Sequence, residues 1–258
     1  MSDLTAIRRV LRRGVPFPVR WRARVLRRLI VDARSGARFA AGLGEQRDFS
    51  HRVCGYERPL ICYAGQEQRF AAKKHNVELA LNSVDGLVVA PGETFSFWRC
   101  ARRPTVRSGY AAAAALKDGV LVDDVGGAIC LASTLLFNIG LLSGMAIDER
   151  WCHSVDSYGD ARYFELGRDA AVEYAYRDLR LRNVFDAPML LRAWVSADAV
   201  CAEAWSSRPA DIQVNIAVSA PERDGVGMSV TTVRQVSRSG TAHTEDRSQS
   251  TYRVAPVA

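Results

Sequence analysis

Cys130 occupies the point where a glycine turn gives way to an apolar helix, a position that suits a nucleophilic thiol. Gly126 and Gly127 let the backbone turn tightly. The run of apolar residues that follows recurs at helical spacing and predicts a helix that begins at or near Cys130. Unpaired N–H groups and the positive end of the helix dipole favour a thiolate there. The alternative is an inert cysteine, because free cysteines are among the most often buried residues.

A base and a carboxylate follow in the segment ERWCHSVDSYGDARYFELGRDAAVEY. His153 comes after the strand-like run MAI, and Asp169 opens the alternating stretch AAVEYAY, which predicts another strand. This order predicts a triad in which imidazole deprotonates the Cys130 thiol and a carboxylate fixes the imidazole tautomer. Asp156 is the substitute if Asp169 points away. The alternative is that His153 is a structural residue.

Several separately spaced motifs give the chain a more specific resemblance. They are YERPLICYAGQEQRFAAKKHNVELAL with Asn76, APGETFSFW, the pair Gly109 and Tyr110, GGAICLAS, ERWCHS, GRDAAVEY, and RDLRLRN ending at Asn183. Over about residues 56 to 195 the chain resembles the VanW family, known as accessory proteins of vancomycin resistance clusters and as domains of bacterial cell-envelope proteins. The resemblance implies a peptide-like cell-wall precursor as the substrate.

Two positions depart from the family pattern, which has a third glycine where this chain has Ala128 and a glutamine where it has Leu131. If that glutamine donates to a substrate or an oxyanion, the donor is missing here, and we expect a less polar acyl substrate. Trp98, Tyr110, Leu131 and Ser154 are the predicted substrate-binding residues. For Trp98 the alternative is that its loop is anchored mainly in the core.

The favoured hypothesis is an enzyme that uses Cys130 for acyl chemistry, with backbone N–H groups at the start of the helix as oxyanion donors. Hydrolysis, transpeptidation, acyl transfer and cyclisation all use this constellation. The substrate is a peptide-like cell-wall precursor or a natural-product intermediate. The rival hypothesis is a non-catalytic accessory protein that binds a peptide or a cell-envelope precursor and keeps Cys130 buried.

The positive charge of the chain is concentrated at its N-terminus. Residues 1–40 hold eleven Arg and two Asp, a balance of +9, although the net charge of the whole chain is +7. Helices are predicted around residues 4–13 and 19–33, and the second is basic and amphipathic with Trp21 on its apolar face. Such a helix suits an anionic membrane or an acidic protein, or it packs its Trp21 face on the domain. No nucleic-acid motif is present, so we expect no nucleic-acid partner.

Bulk properties predict one compact protein of 258 residues that is 48% hydrophobic. No run of eighteen apolar residues exists, and the N-terminal segment has no apolar signal region, so we expect a cytoplasmic protein, with the inner face of the membrane as a peripheral location. The six irregularly spaced cysteines predict free thiols; the alternatives are a Cys54–Cys62 pair and a metal site that joins Cys152 to Cys130. Without CxxC or HxxxH spacing we expect no metal and no cofactor.

The pattern of elements predicts an α+β fold: a helical N-terminal part, then an antiparallel sheet packed on the Cys130 helix, with a papain-like or transglutaminase-like core as one version. The predicted domains are a basic helical segment (1–50), a VanW-like domain (51–210) and a C-terminal β-hairpin extension (211–258). Asp118 and Gly119 predict a hairpin turn in ALKDGVLV. The last hairpin, residues 228–254, is expected to be an appended edge.

Overall fold

The computed structural model describes residues 17–117, 120–156, 159–225, 227–238 and 241–254. The chain divides into two compact units, the first ending at Ala37 and the second beginning at Arg38. The first contains helix α1 (Phe17–Ser35), which confirms the helix predicted for residues 19–33. The helix predicted for residues 4–13 lies outside the described residues. Within the described ranges, no helix is both long and apolar enough to cross a membrane.

The second unit contains the other helices and the strands that the structure describes. The helices are α2 (Glu67–Asn82), α3 (Phe97–Ala101) and α4 (Cys130–Leu142). The strands are β1 (Arg38–Phe39), β2 (Gly42–Leu43), β3 (His51–Pro59), β4 (Leu87–Val89), β5 (Glu93–Ser96), β6 (Ala112–Lys117), β7 (Val120–Val125), β8 (Ala146–Glu149), β9 (Val155–Asp156), β10 (Arg180–Arg182), β11 (Met189–Val195), β12 (Ala199–Ser206), β13 (Ile212–Val218), β14 (Glu222–Asp224), β15 (Gly227–Arg238) and β16 (Thr241–Val254).

These strands form three small sheets and a hairpin. Their orders are β1-β5-β10-β8, β2-β4-β11-β12-β3 and β13-β15-β16-β9, with β14 paired to β15, while β6 and β7 pair with each other. The pairs β1–β5 and β9–β16 are parallel, and the other pairs are antiparallel. The antiparallel, mixed α+β architecture that the sequence predicts is therefore confirmed.

Helix α4 is the centre of the core. Every residue from Leu131 to Leu141 is buried, and the helix contacts α2, β3, β8 and β12. A helix that is apolar on all sides is stable only when it is covered on all sides. The alternating strand β12 covers part of it with buried residues such as Val200 and Ala202. Because Cys130 is the first residue of α4, a helix buried along nearly its whole length positions the thiol.

Three details of the predicted fold are wrong. The first half is not mainly helical, since strands β1 to β7 all precede α4. The stretch AAVEYAY forms no strand: it contains a turn closed by the isolated bridge between Glu173 and Arg177. The last hairpin is not an appended edge, because the Tyr252 side chain on β16 is wholly buried in the core. The domain boundaries drawn from sequence stay a prediction.

Candidate active site

The turn before Cys130 is held in place by close backbone packing. A side chain at Gly127 would place its Cβ 2.1 Å from the carbonyl oxygen of Ala113 on β6, so only glycine fits. The buried amide of Asn76 on α2 donates to the carbonyl oxygens of Gly127 (3.0 Å) and Ala111 (2.9 Å) and accepts from Ala111 N–H (2.9 Å). These contacts fix the direction in which the chain enters α4, and so the position of Cys130.

The structure places Cys130, His153 and Asp169 near one another. Asp169 Oδ2 accepts two hydrogen bonds from His153, one from the ring Nδ1 (2.6 Å) and one from the backbone N–H (2.7 Å). The Cys130 thiol lies close enough to this ring for each group to shift the pKa of the other. Because Asp169 occupies Nδ1, Nε2 is the nitrogen that faces the remaining partners of the ring, one of which is the Tyr163 hydroxyl at 3.1 Å. The ring also stacks on Phe164, with centroids 5.1 Å apart and planes 13° apart.

The protonation states of the triad follow from this geometry. Burial alone would raise the pKa of the Cys130 thiol, but the hydrogen bond and charge of His153 lower it below its ordinary value. Burial disfavours the imidazolium, yet Asp169 and Cys130 raise the pKa of His153 to about 10. Burial opposes ionisation of Asp169 as well, and His153 and Arg150 outweigh it and lower the pKa of that carboxyl. These three shifts all favour a thiolate–imidazolium pair beside a carboxylate.

Asp169 is wholly buried and has further partners that the sequence analysis did not find. Arg150 donates from Nη2 to Oδ1 (2.8 Å) and from Nε to the backbone carbonyl oxygen (2.6 Å). Tyr252 also donates to Oδ1 (2.6 Å) and accepts from Gly167 N–H (2.8 Å). Arg150 is held in turn by Ser250, whose hydroxyl accepts from Nη1 (2.7 Å). Arg150 lies in the ERWCHS motif, whereas nothing local in the sequence marks Ser250 or Tyr252.

Polar side chains within α4 hold the segment that carries Asp169. Ser133 donates to the carbonyl oxygen of Ala170 (2.7 Å), and Thr134 accepts from Ala170 N–H (3.0 Å). One turn later Asn138 donates to the carbonyl oxygen of Arg168 (2.9 Å). These three side chains are buried in an otherwise apolar helix and all bind the same backbone. The helix that presents the thiol therefore also sets the position of the carboxylate.

The remaining predicted site residues occupy different surroundings. Ser154 is exposed, and Trp98 is half-buried with its Nε1–H donating to the carbonyl oxygen of Arg177 (2.8 Å). Tyr110 and Leu131 are core residues, 3% and 2% exposed. The structure thus leaves Ser154 and part of Trp98 open to solvent and does not bring Tyr110 or Leu131 to the surface. Substrate binding by these residues stays a prediction.

Two groups near the triad complete the description. Asp156 pairs with Arg162 (2.6 Å), so Asp169 and not Asp156 orients His153. Tyr163, which the sequence analysis missed, places its hydroxyl 3.1 Å from His153 Nε2.

All six cysteines are free thiols, so the Cys54–Cys62 pair is not formed. Among the residues that the structure describes, no group of three or more His, Cys, Asp or Glu side chains could hold a metal ion.

Comparison with known proteins places this site in a family. The profile of the family described as "VanW like protein" matches residues 72–205, slightly more than half of the chain. The chain belongs to the VanW family. The VanW segment contains Cys130, His153, Asp169 and Arg150, but ends before β13 and so does not include Tyr252.

Two curated relatives each match about half of the chain. One is the uncharacterized protein YoaR of Bacillus subtilis, 36% identical over 122 residues, which are 47% of this chain and 39% of the relative. The other is the vancomycin B-type resistance protein VanW of Enterococcus faecalis, 34% identical over 127 residues, 49% of this chain and 46% of the relative. The match thus spans less than half the length of either relative. No solved structure matches the chain significantly, so no structural neighbour supports a papain-like or transglutaminase-like core.

Proposed function

We propose that this VanW family protein is a cysteine-dependent acyl-transfer enzyme in which Cys130 is the nucleophile, His153 the general acid and base, and Asp169 the orienting carboxylate. The observation that carries the proposal is the 2.6 Å hydrogen bond from the His153 ring to the buried Asp169, with the Cys130 thiol close enough to that ring for its pKa to be lowered. A thiolate at the start of a helix, paired with an imidazolium, is the activated form of a cysteine nucleophile.

In the first half of the reaction the Cys130 thiolate attacks the carbonyl carbon of the substrate. A C–S bond forms, and the carbonyl π electrons move to the oxygen. The Cys130 N–H is a suitable donor to that oxyanion, since it opens α4 and donates to no backbone carbonyl among the described residues. The next N–H groups of α4, those of Leu131 and Ala132, already donate to the carbonyl oxygens of Ala128 and Ile129.

Collapse of the tetrahedral intermediate breaks the bond to the leaving group, which takes the proton from His153 Nε2, and leaves a thioester on Cys130. In the second half water, an amine or a hydroxyl gives its proton to neutral His153 and attacks the thioester. The C–S bond then breaks and the thiolate returns. Asp169 remains ionised throughout and stabilises the imidazolium each time it forms.

The proposed substrate is a peptide-like acyl compound, either a cell-wall precursor or a natural-product intermediate. The resistance protein among the relatives supports the first class. We further propose a cytoplasmic protein whose basic segment, residues 1–40 with its balance of +9, contacts the inner face of the membrane or an acidic protein.

The test of the proposal is the reactivity of Cys130 toward iodoacetamide at neutral pH, followed by peptide mapping of all six thiols. Cys130 should react faster than exposed Cys62. In the variant His153→Asn this advantage should disappear, while the neighbouring variant Cys152→Ser should retain it. A Cys130 thiol that reacts no faster than Cys62 at any pH below about 8.5 would contradict the enzyme and support a binding protein instead.

A further inference from the structure

Two large aromatic side chains lie on the surface beside the triad. Trp151 and Tyr176 are 41% and 43% exposed, and their rings stack with centroids 6.0 Å apart and planes 26° apart. Trp151 lies two residues before His153, and its carbonyl oxygen accepts a hydrogen bond from Ala171 N–H (2.7 Å). The aromatic pair is thus built from the same two segments that carry His153 and Asp169.

The guanidinium of Arg177 lies against both rings. Its central carbon is 5.6 Å from the Trp151 centroid and 5.5 Å from the Tyr176 centroid. Its Nε is buried and has no hydrogen-bond acceptor among the described residues. A buried N–H of a cation gains stability from an acceptor, so this group is suited to donate to an oxygen of a ligand.

Backbone contacts bring Arg177 close to the nucleophile. The thiol of Cys130 lies 3.8 Å from the carbonyl oxygen of Val172. Glu173, the next residue, forms an antiparallel bridge with Arg177. Bridged residues lie about 5 Å apart and consecutive residues about 4 Å apart, so the Arg177 backbone is within roughly 9 Å of the Val172 backbone. A side chain of the length of arginine can cover much of that distance.

We infer that Arg177, Trp151 and Tyr176 form a subsite that binds a carboxylate of the substrate while its reacting carbonyl lies at Cys130. The inference deepens the proposed function and rests on it. A guanidinium presents its N–H groups as a fork that matches both oxygens of a carboxylate, and the buried Nε gains its acceptor in the complex. Cation–π contacts with the two rings, at 5.6 and 5.5 Å, hold the guanidinium beside them. The substrate class is therefore an acyl peptide that carries a carboxylate near the bond that reacts.

Alkylating reagents that differ only in charge test this subsite without knowledge of the natural substrate. The reagents are N-bromoacetyl derivatives of glycine, β-alanine and 4-aminobutyrate, each compared with its own neutral carboxamide. All carry the same reactive carbon, and the series moves the carboxylate stepwise away from it. Peptide mapping gives the rate at Cys130, and exposed Cys62 in the same sample supplies the intrinsic ratio of acid to amide.

After correction by the Cys62 ratio, at least one acid should alkylate Cys130 about tenfold faster than its amide, which is the effect of one charge-assisted hydrogen bond. Arg177→Gln should abolish that preference by slowing each acid to the rate of its own amide in the same variant. Arg177→Lys, which keeps the charge and loses the fork, should retain only part of it. Arg208→Gln removes an equal charge from a surface arginine that pairs with Asp186 and should change nothing.

The outcomes separate this inference from the proposed function. If Cys130 reacts rapidly with the amides but shows no preference for any acid, the subsite is absent and the nucleophile stands. If Cys130 is unreactive with acids and amides alike, the proposed function fails. Protection of Cys130 by inorganic phosphate but not by acetate, lost in Arg177→Gln, would assign the site to a phosphoryl group and overturn the carboxylate. If Arg208→Gln lost the preference for the acid as fully as Arg177→Gln does, the preference would come from the net charge of the protein. That result would also overturn the subsite.

Discussion

Tyr252 donates its phenolic hydrogen to Oδ1 of Asp169 across 2.6 Å, although 83 residues separate the two in the chain. Asp169 lies within the family segment 72–205, whereas Tyr252 lies on the last strand, outside it. Both side chains are fully buried. The C-terminal hairpin therefore helps to hold the carboxylate of the proposed triad in place. A VanW segment ending at residue 205 would lack the Tyr252 hydrogen bond to that carboxylate.

Replacing Tyr252 by phenylalanine should lower the stability of the protein and weaken the positioning of Asp169. The change takes a donor from Asp169 and an acceptor from Gly167 N–H in a buried place, which costs about 1–3 kcal/mol of the free energy of unfolding. Urea unfolding measures that loss, and the iodoacetamide rate at Cys130 should fall with it. Tyr56→Phe is the matched control, since the Tyr56 hydroxyl makes only a 3.5 Å contact with Glu165. Equal effects from the two variants would show that Tyr252 contributes no more than a surface hydroxyl.

The three residues of the proposed triad could be picked from the sequence because each carries a local signal. Cys130 follows a glycine turn and begins an apolar helix, and His153 and Asp169 lie in one short segment after it. The structure brings all three together. Arg150 and Tyr163 lie within or between the same motifs and were missed because a single arginine or tyrosine has no distinctive spacing.

Other features depend on long-range packing that no local pattern encodes. The stretch AAVEYAY alternates like a strand, yet its backbone is held by the side chains of α4 and by its own turn, so it pairs with no neighbouring strand. The hairpin of β15 and β16 looked like an edge because its exposed face is strongly polar. Its other face buries Tyr252 and Val230, and that became visible only in the folded chain.

The reactivity of Cys130 should depend on pH in a way that reports both members of the ion pair. Because the pKa of the thiol is lowered, alkylation should begin at a lower pH than for ordinary thiols, which ionise at about 8.5. Acyl transfer needs the imidazolium to protonate the leaving group, so it should fall as the pH rises through about 10, the raised pKa of His153. In His153→Asn burial still raises the thiol pKa and nothing from His153 lowers it, so alkylation should move to higher pH. A profile shared by parent and variant would disprove the ion pair.

Ala128→Gly should stabilise the protein. Ala128 has a φ of 72°, in the left-handed region that costs residues with a side chain about 1–2 kcal/mol. Glycine removes that strain, and after its own entropic cost the gain should be at most about 1 kcal/mol, measured as a higher urea midpoint. Gly127→Ala is the opposite control, since its Cβ would lie 2.1 Å from the Ala113 carbonyl oxygen and must destabilise the turn. A lower midpoint for Ala128→Gly would show that the strain is absent.

Leu131→Gln tests whether the second departure from the family pattern concerns the substrate or the core. Leu131 is 2% exposed among core residues, so an amide there should cost roughly 1–3 kcal/mol of stability. The conservative variant Leu131→Met keeps the side chain apolar and should cost less than about 1.5 kcal/mol. Thermal unfolding of both variants gives the comparison. A Leu131→Gln protein of parental stability with a more polar substrate range would instead place this residue at the substrate.

Removal of the basic N-terminal segment should abolish binding to anionic membranes without unfolding the rest of the protein, provided that the cut leaves β1 in place. A cut after Ala37 removes only the first compact unit, so the melting temperature of the remainder should be nearly unchanged. A cut after Ala40 also removes β1, which pairs with β5, and the hydrogen bond from Ala40 N–H to the Thr94 carbonyl oxygen (3.0 Å), so it should lower the melting temperature. Neither truncated protein should sediment with anionic lipid vesicles, because ten of the eleven arginines of residues 1–40 lie before Arg38 and are removed by both cuts. Undiminished vesicle binding after the shorter deletion would show that the N-terminal segment is not the membrane anchor.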